Sequence, residues 1–252
     1  MTNWVDSFVA LGATSAVLTA KHGCGFLAWE TATTLPDGSA YRYHVSAEQS
    51  TAKKFVAATT AAGIGHGFYY SLTNNFYVRF HGLLHAARLR SPHLTSPLPP
   101  SPAVPQLNVF GHNAQPPSTL QPGQANVTQA QYEDLALAQV KELWTEFGSL
   151  SEIWLDGGCG AMCDRVGALV RATLAKDAVA FNGGGVSDSP VRWCGTEGGN
   201  PVRAGGAVWS TTACPDTWCG PGSGSGSPPN TTNAIWYPSG VDVTLQQGDH
   251  WL

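Results

Sequence analysis

The strongest constraint on this chain is a rhythm of short apolar runs, each separated from the next by helical periodicity. SAVLTA (15–20), GHGFYYSL (65–72), SEIWLD (151–156), AVAFN (178–182) and VRWCGTE (191–197) read as strands. Apolar runs of this length, bounded by turn residues, suit strands of a buried parallel sheet. Between them, 3–12, 48–63, 129–147 and 161–176 carry apolar residues at helical spacing. Gly12, Gly63 and Gly148 stand where three of these helices would stop, and Thr128 stands where 129–147 would take its N-cap. Alternating helices and strands imply parallel βα units and an α/β fold. Functional residues of such folds gather just beyond the C-terminal ends of the strands.

With 252 residues the chain can bury a sizeable core. Charged residues are 12%, where a globular chain carries about 25%, which argues against a coiled coil or a charged disordered chain. The net charge of −4 and the lack of any Lys/Arg run argue against nucleic acid as a partner. No apolar run reaches the roughly 18–20 residues of a membrane span, so no membrane partner is expected. The apolar stretch 8–20 follows no basic segment and makes a poor signal peptide. Trp 9, Tyr 7 and Phe 9 suit a sugar-stacking cleft and suit core packing equally.

Cysteines at 24, 159, 163, 194, 214 and 219 are too few in so long a chain for a disulfide framework. Cys159/Cys163 and Cys214/Cys219 are spaced too widely for Cys-x-x-Cys zinc pairs, and a local disulfide in a secreted protein is the alternative. Asn126-Val-Thr and Asn230-Thr-Thr would accept glycans in that setting. Residues 79–107 are proline-rich and interrupt a βα connection, whose usual length is about 2–6 residues. They read as an inserted surface segment or as translated intron. PGSGSGSPP (221–229) reads as a flexible loop.

Three strand ends carry polar residues that could do chemistry. Lys21 and His22 follow the first strand, Asp156 closes IWLD, and Glu197 closes RWCGTE. Two carboxylates brought together at strand ends could serve as nucleophile and acid/base of a retaining glycosidase, about 5–5.5 Å apart. Trp154 and Trp193 could supply the apolar surroundings that raise an acid's pKa. Each residue also has a plainer reading. Asp156 could cap the Gly157-Gly158 turn, Glu197 could be an exposed loop carboxylate, and His22 could be a hydrogen-bonded structural histidine. His22, His44 or His66 with Asp156 could alternatively serve a metal-dependent hydrolase.

Four blocks resemble the α-L-fucosidases of glycoside hydrolase family 29, in family order. LTAKHGCGFLAW (18–29) is similar to that family's LTAKHHDGF-x-x-W. GIGHGFYYSL (63–72) resembles GL-x-x-GFYYS, and ELWTEFGSLSEIWLDGG (142–158) resembles the block that carries the nucleophile. FNGGGVSDSPVRWCGTEGG (181–199) resembles the plant branch.

The resemblance implies a (β/α)8 TIM-like barrel, here incomplete, with the first and last strands and the C-terminal β-sandwich missing from residues 1–252. It implies retaining hydrolysis of terminal α-L-fucosyl residues from glycans or glycoproteins, with no cofactor and no metal. Asp156 would be the nucleophile and Glu197 the acid/base. His22 would hydrogen-bond fucose, while Tyr70, Trp29 and Lys21 would line or order the sugar site beside Trp154 and Trp193. Gly23 stands where many members carry a second histidine. The plant-like blocks suggest fucose in α-1,3 or α-1,4 linkage. The family's usual setting is extracellular, vacuolar or lysosomal.

Overall fold

The computed structural model describes residues 1–72, 74–81, 124–156, 158–159, 162–176, 178–181, 183, 186–194, 212–213, 235–236 and 238–241. Their main body is a parallel sheet of six strands. Helix α1 (Thr2–Ala10) leads into β1 (Ser15–Lys21). Helix α2 (Thr51–Ala62) then returns the chain to β2 (Gly65–Tyr70). Two short strands, β3 (Val78–His81) and β4 (Ala125–Thr128), pair in parallel beside the sheet. Helix α3 (Gln129–Thr145) precedes β5 (Glu152–Trp154), and α4 (Cys163–Thr173) precedes β6 (Val179–Phe181). Next come β7 (Pro190–Cys194), β8 (Thr212–Ala213), β9 (Ile235–Trp236) and β10 (Ser239–Val241). The order across the sheet is β1-β2-β5-β6-β7-β10, and every pairing is parallel. Strands β8 and β9 form a separate antiparallel pair.

The helices stop and start where local chemistry dictates. Gly63 caps α2 at φ 70°, a left-handed conformation that glycine adopts without a Cβ penalty. Thr128 caps α3 through its side chain, and Gln131 reaches back to the Thr128 amide to complete a capping box. Both boundaries agree with the sequence expectation. Strands β3, β4, β8, β9 and β10 are additions to the pattern expected from the sequence.

One face of the sheet is the core. Phe68, Ile153 and Ala180 lie side by side across β2, β5 and β6 and are fully buried. Phe68 meets Phe55 of α2 at 6.3 Å and Phe147, just past α3, at 5.5 Å. Val140, Leu143 and Trp144 of α3 and Val166 of α4 complete that layer. Burying such side chains contributes about 1.5–3 kcal/mol each, so this face dominates the stability of the fold.

The opposite face is patterned differently. Thr19, Tyr69, Trp154 and Phe181 form a row across β1, β2, β5 and β6. Trp154 stacks on Phe181 at 3.6 Å and leans on Tyr69 at 6.4 Å. One layer toward the strands' N-termini, Gly67 stands opposite Glu152. A Cβ at Gly67 would lie 2.2 Å from the Glu152 carbonyl oxygen, so only glycine permits this approach.

The insertion expected at 79–107 is described only at its first three residues, which belong to β3; the remainder lies outside the described residues. Asn126 is exposed on β4, whereas Asn230, Cys214 and Cys219 lie outside the described residues.

Candidate active site

Strand β1 ends in a bulge. Its register with β2 runs evenly to Thr19 opposite Tyr69, then places Lys21, not Ala20, opposite Tyr70. The extra residue breaks the two-residue alternation, so Ala20 and Lys21 both turn into the core. His22 then emerges on the other side, where its ring stacks on Tyr69 at 5.8 Å and 18°. A β-turn comes next, closed by the Gly25 amide, which donates to the His22 carbonyl at 3.0 Å.

Asp156 stands two residues beyond β5 on the same side of the sheet. The Tyr69 hydroxyl donates to its Oδ2. His22, Tyr69 and Asp156 therefore share the C-terminal edge of three adjoining elements, with Trp154 and Phe181 as the apolar floor beneath them. Glu152 lies one layer lower on that face, and burial pushes its carboxyl above the ordinary range. Just after Asp156, Cys159 and Cys163 form a disulfide, with 4.9 Å between their Cα atoms, that ties the strand-end loop to the start of α4.

The other residues singled out by resemblance lie elsewhere. Lys21 is buried. Its ammonium donates to the Ser71 and Asn74 carbonyls and sits 4.8 Å over the Tyr70 ring. Burial lowers its pKa to about 7. Tyr70 is also buried, and its hydroxyl donates to Gln139 Oε1 on α3 at 2.7 Å. Trp29 is fully buried, with its indole N–H donating to Glu142 Oε2 at 3.2 Å. Tyr70 and Trp29 thus bond to α3, and Lys21 bonds to the residues just after β2.

Glu142 also accepts from Thr31 Oγ1 at 2.6 Å and from the Ala32 amide at 2.9 Å. Gln139, one turn earlier, donates to Thr33 Oγ1 at 3.3 Å. The pair on α3 thus clamps the long connection after β1. Glu197 and the side chain of Trp193 lie outside the described residues.

Tyr69 is a site residue that neither the strand-end pattern nor the resemblance singles out. A signal for it exists. In GHGFYY, Phe68 and Tyr70 alternate on one face, which leaves Tyr69 on the face of Gly65 and Gly67.

The histidines of the metal reading do not converge. His66 Nε2 lies 3.2 Å from the Phe147 carbonyl oxygen, and His44 Nδ1 lies 2.6 Å from that of Val45. Among the described residues, no group of three or more His, Cys, Asp or Glu side chains is placed to hold a metal. No described helix is long and apolar enough to cross a membrane.

Comparison with known proteins gives this geometry a family. "Alpha-L-fucosidase 1" of Arabidopsis thaliana is 30% identical over 129 residues, which are 48% of this chain and 24% of that protein. A glycoside hydrolase 29 family member from an unknown rumen bacterium is similar in fold, with a TM-score of 0.59 at 18% identity, over 98% of this chain and 38% of that one. The α-L-fucosidase of Lactobacillus casei, solved with α-L-fucose product, gives a TM-score of 0.52 at 15% identity, over 76% of this chain and 54% of that one. The chain thus spans between about a quarter and about half of the length of these relatives. The α-L-fucosidase family model matches residues 1–197, most of the chain and all of the elements that carry His22, Tyr69 and Asp156, and the chain belongs to that family.

Proposed function

We propose that this chain carries the nucleophile half of a retaining α-L-fucosidase site, on a sheet that forms part of a (β/α)8 barrel. The observation that carries the reading is the Tyr69–Asp156 hydrogen bond at the C-terminal edge of a parallel sheet, beside His22. A carboxylate that accepts a phenolic proton is held in one orientation. An oriented carboxylate beside a row of aromatic rings suits attack on an anomeric carbon.

In the proposed reaction an Asp156 oxygen bonds to C1 of fucose while the bond from C1 to the leaving oxygen breaks. Glu197 gives its proton to that oxygen. The same carboxylate then takes a proton from water, whose oxygen attacks C1 and releases Asp156 with net retention. His22 and the Tyr69 hydroxyl face the sugar. Trp154 and Trp193 shield the site from water. Lys21, Tyr70 and Trp29 act behind it, as supports of the strand ends and of the connection after β1. The substrate is a fucosylated oligosaccharide or glycoprotein glycan. The Cys159–Cys163 disulfide and the exposed Asn126 sequon favour an extracellular, vacuolar or lysosomal setting.

The test is turnover of a chromogenic α-L-fucoside by the purified chain, beside Asp156→Ala and Glu197→Ala. We expect release by the wild type and near-complete loss in Asp156→Ala. In NMR the α-anomer of free fucose should appear first, as retention requires, and the β-anomer only later by mutarotation. Equal silence from folded wild type and Asp156→Ala overturns the reading for this chain.

A further inference from the structure

The segment that follows the candidate nucleophile is fastened by a bond that the chemistry proposed above does not use. Cys159, three residues after Asp156, is joined to Cys163, the first residue of α4, across a sequence separation of 4. The two ends of this segment are anchored without it. Upstream, the Leu155 amide donates to the Phe181 carbonyl at 3.1 Å, and the Leu155 side chain is buried. Downstream, Val166 and Val170 bury one side of α4, and Arg165 Nη2 donates to Asp134 Oδ1 on α3 at 2.5 Å.

Between these anchors the Gly158 amide donates to the Leu155 carbonyl at 3.0 Å and the Met162 amide to the Cys159 carbonyl at 2.9 Å. Met162 holds the N-cap position of α4, and its thioether offers no oxygen to cap with. The disulfide therefore fastens the end of the Asp156 segment to a helix that is itself fixed.

Such a bond adds little to the fold as a whole. It closes a loop of a few residues, and the entropic benefit of a cross-link is smallest for short loops. Its constraint falls on one place, the segment beside Asp156. Opening it releases that segment and leaves the packing of sheet and helices intact.

The two sulfurs are unequal. Cys159 is 5% exposed, whereas Cys163 is only half-buried. Cys163 also lies in the first turn of α4, where free backbone N–H groups favour a thiolate. Stabilising the reduced form in this way makes a disulfide easier to open. A small thiol thus has both an accessible sulfur to attack and a good leaving group to release.

We infer that Cys159–Cys163 is a thiol–disulfide exchange site for a small thiol of the glutathione type, and that its state sets how firmly Asp156 is held. This is regulation of the proposed fucosidase site and rests on that reading. One glutathione thiolate attacks Cys163 Sγ, the S–S bond breaks, and Cys159 leaves as a thiolate that takes up a proton. A second glutathione attacks the glutathione sulfur of the mixed disulfide and releases Cys163. Two glutathiones are oxidised to one glutathione disulfide, and the protein disulfide is reduced to two thiols. The chain is less active where thiols are reduced and reaches full activity in an oxidising setting.

The test equilibrates the purified chain in glutathione buffers of graded redox ratio. Thiols are trapped with iodoacetamide and mapped by peptide mass spectrometry, beside turnover of a chromogenic α-L-fucoside. Cys24, which is free and exposed, labels throughout and serves as the reference. Cys159 and Cys163 are expected to label together as the buffer becomes more reducing, while circular dichroism stays unchanged. Along the same curve kcat should fall about threefold to tenfold at nearly constant KM. Cys24→Ser should follow the wild type, and the double variant Cys159→Ser/Cys163→Ser should show the reduced rate in every buffer. A disulfide that stays closed across the series, a kcat that ignores its opening, or a response lost in Cys24→Ser overturns the inference. The wild-type titration decides by itself if the double variant does not fold.

Should the oxidised wild type turn over no fucoside, the fucosidase reading fails separately. Amide hydrogen exchange then decides the exchange site. Faster exchange on reduction, confined to peptides between Leu155 and Val166, supports it. Exchange that is unchanged, or that rises across the whole sheet, overturns it.

Discussion

Tyr69 and Asp156 sit on adjacent parallel strands, and the phenol of one donates to the carboxylate of the other. The link crosses from β2 to β5 just where both strands end. A hydrogen bond to a charged group is worth about 1.5–3 kcal/mol. Tyr69→Phe should therefore lower kcat on a fucoside by roughly 10- to 100-fold and lower the Tm by a few degrees as well. Steady-state kinetics beside thermal melts check this. Unchanged kcat would mean that the bond does not serve the nucleophile.

Lys21 is a buried amine whose pKa falls to about 7 from the ordinary 10.5 through desolvation. Between those two values the unfolded chain binds more protons than the folded one, so stability rises as pH rises through that window. The slope for one such group approaches about 1.4 kcal/mol per pH unit. A neutral amine still has two N–H donors for the Ser71 and Asn74 carbonyls, so no bond is lost on deprotonation. Lys21→Met should flatten the rise in unfolding free energy between about pH 7 and 9, measured by urea titration at each pH. The wild type and the variant running parallel across that range would refute it.

Glu142 accepts three hydrogen bonds from the connection after β1, through Trp29, Thr31 and Ala32. Glu142→Ala leaves the buried indole N–H of Trp29 without its acceptor. The expected cost is about 2–3 kcal/mol, seen as a lower urea midpoint at unchanged slope. The connection also carries His22, so KM should rise as well.

Gly67 faces the Glu152 backbone at a distance that no side chain tolerates. Gly67→Ala forces β2 and β5 apart beneath the Tyr69–Trp154 row. We expect a loss of about 3 kcal/mol, read from the Tm, where a glycine-to-alanine change in an open strand would be neutral or stabilising.

Much of this fold is legible in the sequence because its elements are long or sharply bounded. Helix α3 shows its periodicity and its Thr128 cap in the letters alone, while it ends at Thr145, three residues before the expected stop at Gly148. Strands β3, β4 and β10 are about as short as β5 and β6 but lack the apolar runs, IWL and AVAF, that mark those two.

The site is legible by position and less so by direction. Asp156 and His22 stand out by their places at strand ends, and the structure brings both to Tyr69. The resemblance assigns Tyr70 and Lys21 to a sugar site, while the Tyr70 hydroxyl bonds to α3 and the Lys21 ammonium to the carbonyls after β2. The cause is physical. A bulge is one unpaired residue in a ladder, and nothing in the letters LTAKH marks which residue that is. Trp29 reads as an aromatic of the cleft, yet its buried N–H requires an acceptor, and Glu142 on a distant helix supplies it. Partners so far apart in sequence leave no local trace.

The unpaired Ala20 has a consequence for how this strand end could change. It works as a frame shift in the strand's two-step count, sending an amine inward and an imidazole outward from neighbouring positions. A strand that ran on without the bulge would pair Ala20 with Tyr70 and exchange the two destinations without altering any side chain. The imidazole would enter an apolar layer and the amine would stand beside Tyr69. What the end of β1 presents at the strand-end edge is thus set by how the strand is paired as well as by which residues it carries.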